Sequence, residues 1–321
     1  TGTVLDGNID VALLRTDGQI IEEFGYYNLM PYDEEVKDLL IKAIDEARIW
    51  NFNGPEPELF SKTEAALTNS QIVAVQKCIK LSGLDKNKIG AIGFHGQTVL
   101  HKPPSKSSKG KTRQLGDGQK MANKLGIPVV YDFRTKDIKE GGQGAPLCPI
   151  YHSALLKKIG AAPTTAILNL GGLGNLSCYS EKYGLIAFDT GPANAPINDW
   201  IKSFNIGQMD LDGEIAARGK VDENKLAAIL NNPYFKAPFP KSLDRFDFSY
   251  KIAEDMSLED GAATLTALVG ASVGKGLDLL PMRPTQLIVS GGGRKNPTMM
   301  QEISSRANID TRTAEKYNWR G

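Results

Sequence analysis

The stretch Thr165-Ala166-Ile167-Leu168-Asn169-Leu170-Gly171-Gly172-Leu173-Gly174-Asn175-Leu176-Ser177-Cys178-Tyr179 decides how the chain is read. Its first six residues are a short, mostly apolar run, which predicts a strand over 165–170. Gly171–Gly174 then predicts a turn into a second strand over 175–179. Glycine lets backbone approach an anion closely, and successive N–H groups can nest around phosphate. The turn has neither the GxxxxGK[ST] of a Walker A loop nor the GxGxxG of a dinucleotide fingerprint, which disfavours a nicotinamide Rossmann enzyme.

Working toward the C-terminus, Leu185–Phe188 reads as a further strand ending at Asp189-Thr190-Gly191-Pro192-Ala193-Asn194. A carboxylate at a strand end beside a Gly/Pro turn can take a proton from an attacking hydroxyl or water. It can equally cap a helix starting at Asn194. Residues 258–280 suit a long helix in which Gly270, Gly274 and Gly276 allow close backbone packing. Gln286–Ser290 is a strand running into Gly291-Gly292-Gly293.

Toward the N-terminus, residues 9–15 and 18–30 read as two strands joined by Thr16-Asp17-Gly18. Helices are expected over 33–50, 71–82 and 147–159, and strands over 89–94 and 127–131. His95-Gly96-Gln97-Thr98 places polar side chains at a strand end, where a lone histidine is more often structural. Asp132-Phe133-Arg134 and Gly141–Pro146 supply charges and a loop. An Asp and an Arg near one strand end can hold sugar hydroxyls or a carboxylate; a surface ion pair with a hinge is the plainer alternative. The basic stretch Lys102–Lys111 reads as a solvated loop between strands. Gly2-Thr3-Val4-Leu5-Asp6-Gly7 reads locally as a β-turn, although Asp6 could orient a magnesium-bound water.

The halves show a weak internal repeat: strand, Gly-containing turn and strand, and later a strand followed by a Gly-rich loop. With 321 residues, two domains are expected, set at 1–146 and 147–321. Lys and Arg total 38 against 37 Asp and Glu, a net charge of +1, so nothing asks for nucleic acid as a partner. No apolar run approaches the ~18–20 residues of a membrane span. The 3 cysteines show no CxxC spacing, which argues for a reducing compartment and against zinc. A cytoplasmic protein without a membrane partner is expected. Thr1 is no start residue, so a preceding piece is expected as well.

Taken together, Gly2–Gly7, His95–Thr98, Asp132–Arg134, Gly141–Leu147, Leu168–Asn175, Phe188–Asn194 and Ser290–Pro297 resemble the anhydro-N-acetylmuramic acid kinase family, in order and across nearly the whole chain. The resemblance implies an α/β fold of the actin/hexokinase/Hsp70 type, with two RNase-H-like lobes around an ATP cleft. It implies Mg2+ and ATP as cofactors, and phosphorylation of 1,6-anhydro-N-acetylmuramic acid coupled to hydrolytic opening of its bridge. The product is N-acetylmuramic acid 6-phosphate, an intermediate of cell-wall sugar recycling.

On this resemblance, Asp189 is the catalytic base. Gly2, Thr3, Asp6, Gly7, Gly171, Gly172 and Asn175 contact the ATP phosphates. Gly291, Gly292, Gly293 and Asn296 contact adenosine. His95, Gln97, Asp132 and Arg134 contact the sugar, and Asp6 reaches the metal through water. A homodimer is implied. The chain departs from the family pattern at Val4, where Ser is usual, and at Asn8, which reads as an extra residue. It is also expected to start inside the first strand and to end before a C-terminal segment that carries an acidic substrate-site residue. Two other readings are a different sugar or acid kinase of the same superfamily and a non-catalytic ATP-binding sensor.

Overall fold

Alternating apolar residues make the first hairpin, β1 (Asn8–Thr16) and β2 (Ile21–Pro31), which pair antiparallel. Its turn is built as the sequence predicts: Asp17 Oδ1 accepts from the N–H groups of Gln19 and Ile20, both at 2.8 Å. The computed structural model of the protein describes residues 7–105 and 108–319. The chain divides into two compact units, Thr1–Gly144 and Ala145–Gly321.

In the first unit, helices α1 (Glu34–Trp50) and α2 (Leu59–Ser82) follow the hairpin. Strands β3 (Ile92–Phe94), β4 (Gln97–Lys102) and β5 (Lys111–Leu115) come next, then helix α3 (Gly118–Leu125), strand β6 (Val129–Tyr131) and helix α4 (Thr135–Lys139). β3 pairs parallel with β6, and β4 pairs antiparallel with β5. The described residues 103–105 and 108–110 lie between β4 and β5, where a loop is expected. α2 begins twelve residues before the expected helix at 71. Thr63 and Thr68 occupy its buried face, and their hydroxyls bond back to the carbonyls of Leu59 and Glu64 at 2.8 and 2.7 Å. Polar residues on the inner face hide the helical period from a hydrophobicity count.

The second unit opens with α5 (Pro149–Lys158) and the strands β7 (Thr165–Leu170), β8 (Leu173–Ser180) and β9 (Gly184–Pro192). Helices α6 (Asn194–Ser203), α7 (Glu214–Arg218), α8 (Glu223–Leu230) and α9 (Leu258–Asp278) follow. Strand β10 (Gln286–Ser290), helix α10 (Pro297–Arg306) and strand β11 (Asp310–Thr313) close the order. One sheet runs β11-β10-β7-β8-β9. β7, β8 and β9 form an antiparallel meander, while β10 and β11 run parallel to β7. That is the strand plan of an RNase-H-like lobe, and the α/β class of the actin/hexokinase/Hsp70 type is the one expected.

α9 is the spine of this unit. Ser257 Oγ caps it, accepting from Asp260 N–H at 3.1 Å, and its apolar residues are buried nearly all round. The expected close packing is present: a Cβ on Gly270 would stand 2.4 Å from the Glu302 carbonyl oxygen of α10. Leu168, Leu176, Phe188, Leu265, Val269 and Leu287 make the shared core between sheet and helices.

Candidate active site

The glycine turn between β7 and β8 is tied to the start of α6. Asn194 Nδ2 donates to the carbonyls of Leu170 (3.1 Å) and Gly171 (2.7 Å). Ala193 and Ala195 N–H groups both donate to Gly172 O, at 3.0 and 3.1 Å. Gly171 N–H is spent on Leu173 O at 3.0 Å. The turn therefore offers an anion the Gly172 backbone and the Asn175 side chain, rather than both glycine N–H groups.

The loop after β10 packs on this turn. A Cβ on Gly291 (φ +79°) would stand 2.6 Å from Leu170 O, and one on Gly293 would stand 2.8 Å from the Leu170 Cβ and 3.2 Å from Asn194 Nδ2. Only glycine permits that approach with that backbone. The predicted phosphate and adenosine segments of the second unit are thus brought together, with Gly292 open to space. Asn296, expected to contact adenosine, is buried and serves as the N-cap of α10, its Oδ1 accepting from Met299 N–H at 2.9 Å.

Asp189 does not end its strand and does not cap α6. β9 continues through Pro192, because Gly191 and Pro192 pair with Gly174 and Leu173. Asn175 pairs with Asp189 and Gly174 with Gly191, so Thr190 is the extra residue of a β-bulge, and its hydroxyl donates to Gly174 O at 3.1 Å. Bulges beside active sites re-aim a side chain. Asn175 stands directly across from Asp189, so the two side chains leave the same face of the sheet. Asp189 is only 4% exposed. Asn175 Oδ1 is buried and has no hydrogen-bond partner among the described residues. An amide can turn over, so this buried end suits either a phosphate oxygen or a metal-bound water.

Residues 234–243 strap Asp189 from outside the sheet. Leu243 N–H donates to Asp189 Oδ2 at 2.9 Å, Asp189 N–H donates to Lys241 O at 3.1 Å, and the Tyr234 hydroxyl donates to Asp189 O at 2.6 Å. Sequence reading missed Tyr234, Lys241 and the clamping role of Asn194. Asn194 lay within a quoted motif, but no local signal links residues 234–243 to a strand some fifty positions earlier.

In the first unit, His95 and Arg134 meet. Arg134 is buried; its Nη2 lies 3.1 Å from His95 Nε2 and its Nη1 donates to Gly144 O at 2.6 Å. A guanidinium only donates, so His95 Nε2 accepts and Nδ1 carries the proton, given to Gly96 O at 3.0 Å. Burial, with the Arg134 charge second, lowers the His95 pKa to about 4, which keeps the ring neutral. Gln97 is fully buried, and its Oε1 lacks a partner among the described residues. Asp132 is exposed in the turn after β6, with a left-handed φ of +54°, and accepts from the Thr135 hydroxyl at 2.6 Å. The structure therefore joins His95 to Arg134, while Asp132 bonds locally.

Gly2, Thr3 and Asp6, with Val4, lie outside the described residues. Gly7 is described, and its carbonyl accepts from Tyr32 N–H at 2.9 Å. Among the described residues no three of His, Cys, Asp and Glu come together as a metal site. No described helix is long and apolar enough to cross a membrane.

The sequence model described as anhydro-N-acetylmuramic acid kinase matches residues 1–319. A protein of that name from Brucella anthropi is 56% identical over 100% of this chain and 86% of its own length. One from Rhizobium rhizogenes is 54% identical over the same shares. Among solved structures, the (R)-2-hydroxyglutaryl-CoA dehydratase component A of Acidaminococcus fermentans is similar with a TM-score of 0.48 and 10% identity, over 98% of this chain and 89% of that one.

Proposed function

This chain belongs to the anhydro-N-acetylmuramic acid kinase family, and we propose that it converts 1,6-anhydro-N-acetylmuramic acid, water and ATP into N-acetylmuramic acid 6-phosphate and ADP. The observation that carries this reading is Asp189: a buried carboxylate at a β-bulge, across from Asn175 and one strand from the glycine turn. Asp189 takes a proton from the water that attacks the anomeric carbon. The bond from that carbon to the bridging oxygen breaks. The oxygen, left on C6, attacks the γ-phosphorus, and ADP departs.

Gly172 and Asn175 hold the phosphates from the second unit, and Gly291, Gly292 and Gly293 border the adenosine. Gly2, Thr3, Asp6 and Gly7 are proposed to do the same from the first. His95, Gln97, Asp132 and Arg134 are proposed for the sugar, with neutral His95 fixed by Arg134. The donor set suits Mg2+ carried on the nucleotide: magnesium keeps several waters and few carboxylates, the unpartnered Asn175 amide end suits such a water, and Asp6 is the proposed acidic contact. The ion would neutralise phosphate charge. A cytoplasmic homodimer completes the reading.

Mass spectrometry of a reaction with Mg-ATP and the anhydrosugar tests it. The expected product is heavier than the substrate by one phosphate and one water. Asp189→Asn should cut turnover by about 10²–10⁴-fold, the usual worth of a positioned base. ADP released without a sugar product would favour another acceptor or a sensor.

A further inference from the structure

Lys241 is only 7% exposed, an expensive place for an ammonium group that a methionine would fill without desolvation. Its geometry shows where that charge is used. Lys241 Nζ donates to Tyr234 O at 2.7 Å and lies 4.3 Å from the centroid of the Tyr234 ring and 5.7 Å from that of Phe188. It thereby ties together the two ends of the segment 234–241. Both ends grip Asp189, through the Tyr234 hydroxyl and through the Lys241 carbonyl, and Leu243 N–H two residues on holds the carboxylate itself. Phe188, under the ammonium, is the residue before Asp189 on β9.

We propose that Lys241 is a positioning residue for Asp189: its ammonium locks residues 234–243 into the strap that aims the carboxylate toward the reacting water. This rests on Asp189 being the base of the proposed reaction. The catalytic contact remains that of Asp189, and Lys241 acts through the strap.

The groups around Lys241 give the inference a signature. Asp189 faces it from β9 and Tyr234 from its own turn; Asp247 acts on Tyr234, and Arg245 is engaged with Asp199 on α6. Burial lowers the Lys241 pKa to about 8, opposed by the Asp189 charge. Burial, then Asp189, raises the pKa of the Tyr234 phenol, which stays a donor throughout. The ammonium is therefore present below pH 8 and lost above it. A lysine whose folded pKa is depressed makes the fold more stable, not less, as pH rises from about 8 toward the 10.5 of the unperturbed group. Loss of turnover above pH 8 through Lys241 thus opposes the stability trend in sign.

The test measures kcat, KM for ATP and melting temperature from pH 6 to 10, using Mg-ATP and the anhydrosugar, for the wild type, Lys241→Met and Tyr234→Phe. Lys241→Met should lower kcat about 10–100-fold, the scale of a base displaced by a fraction of an ångström to an ångström. KM for ATP should stay within about twofold, because the glycine loops are untouched. The melting temperature should change little, because the desolvation cost removed with the charge offsets the lost bond to Tyr234 O. The wild-type decline above pH 8 should vanish in this variant. Tyr234→Phe should lose less turnover and keep that decline. Wild-type kcat in either variant, or a Lys241→Met profile that retains the alkaline decline, overturns the inference. A Lys241→Met chain that does not fold also overturns it, since the role is then structural. A wild type that makes no sugar product at any pH overturns the reading of Asp189, and this inference with it.

Discussion

The second unit lays five strands in one sheet over a single long helix, whereas the described residues of the first carry three two-strand ladders. The contrast extends to chemistry. In the second unit the glycine turn, the bulge with Asp189 and the loop after β10 all spring from neighbouring strands of one sheet, over the core of Leu168, Phe188 and Val269. In the first unit the polar groups lie where short ladders end, and several buried ones, Gln97 Oε1, Thr98 Oγ1 and Gln114 Oε1, lack partners among the described residues. A cavity of about 150 Å³ lies between β1 and β3, lined by Ile9, Val11, Val75, Ile79 and Ile92. One unit sets its candidate site groups on neighbouring strands of one sheet. The described part of the other sets its polar groups on short ladders.

Acid separates the two most sharply. Burial is the first cause lowering His95, His101 and His152 each to about 4 from 6.5, and the Arg134 charge adds to it for the first two. The unfolded chain takes up these protons first. Their stabilisation is therefore complete above pH 6.5 and lost as pH falls from 6.5 through 4. A full shift of that size corresponds to ~3 kcal/mol per well-buried ring. The first unit holds two such rings and the second one, so amide exchange at pH 4.5 should open the first unit before the second. Equal opening would break the comparison.

Arg134→Met probes the same unit at neutral pH. It removes charged bonds to Gly144 O and His95, each worth about 1.5–3 kcal/mol. Amide exchange should speed up across β4 and β5 and leave β7 and β8 unchanged. The smallest expected effect is in the second unit. Gly291→Ala places a methyl against Leu170 O at a left-handed φ, a strain of about 1–3 kcal/mol. Calorimetric titration with Mg-ATP should show weakened binding, and a variant that binds as well as wild type would detach the β10 loop from the nucleotide.

The sequence was most legible where one signal ruled. β7 and β10 are apolar runs bounded by glycine, and both have the expected bounds; α9, expected at 258–280, spans Leu258–Asp278. Legibility failed where tertiary partners overrule local chemistry. Thr-Gly-Pro after Asp189 reads as a turn, yet β8 supplies a ladder that carries β9 through it. Thr63 and Gln71 on the inner face of α2 look like surface residues until their partners, Leu59 O and the Tyr32 hydroxyl, are seen. The candidate site followed the same rule. Glycines and Asp189 carry motifs; the strap of Tyr234, Lys241 and Leu243 is assembled by the fold.

β9 is the last strand of its sheet. An outermost strand with bare N–H and C=O groups invites another chain to add itself, the first step of aggregation. At Asp189 both groups are already taken, by Lys241 O and the Tyr234 hydroxyl. The strap that holds the carboxylate is also a guard for the sheet's open side. On the proposed role of Asp189, loosening the strap would misplace the carboxylate and bare the edge of β9 at the same point.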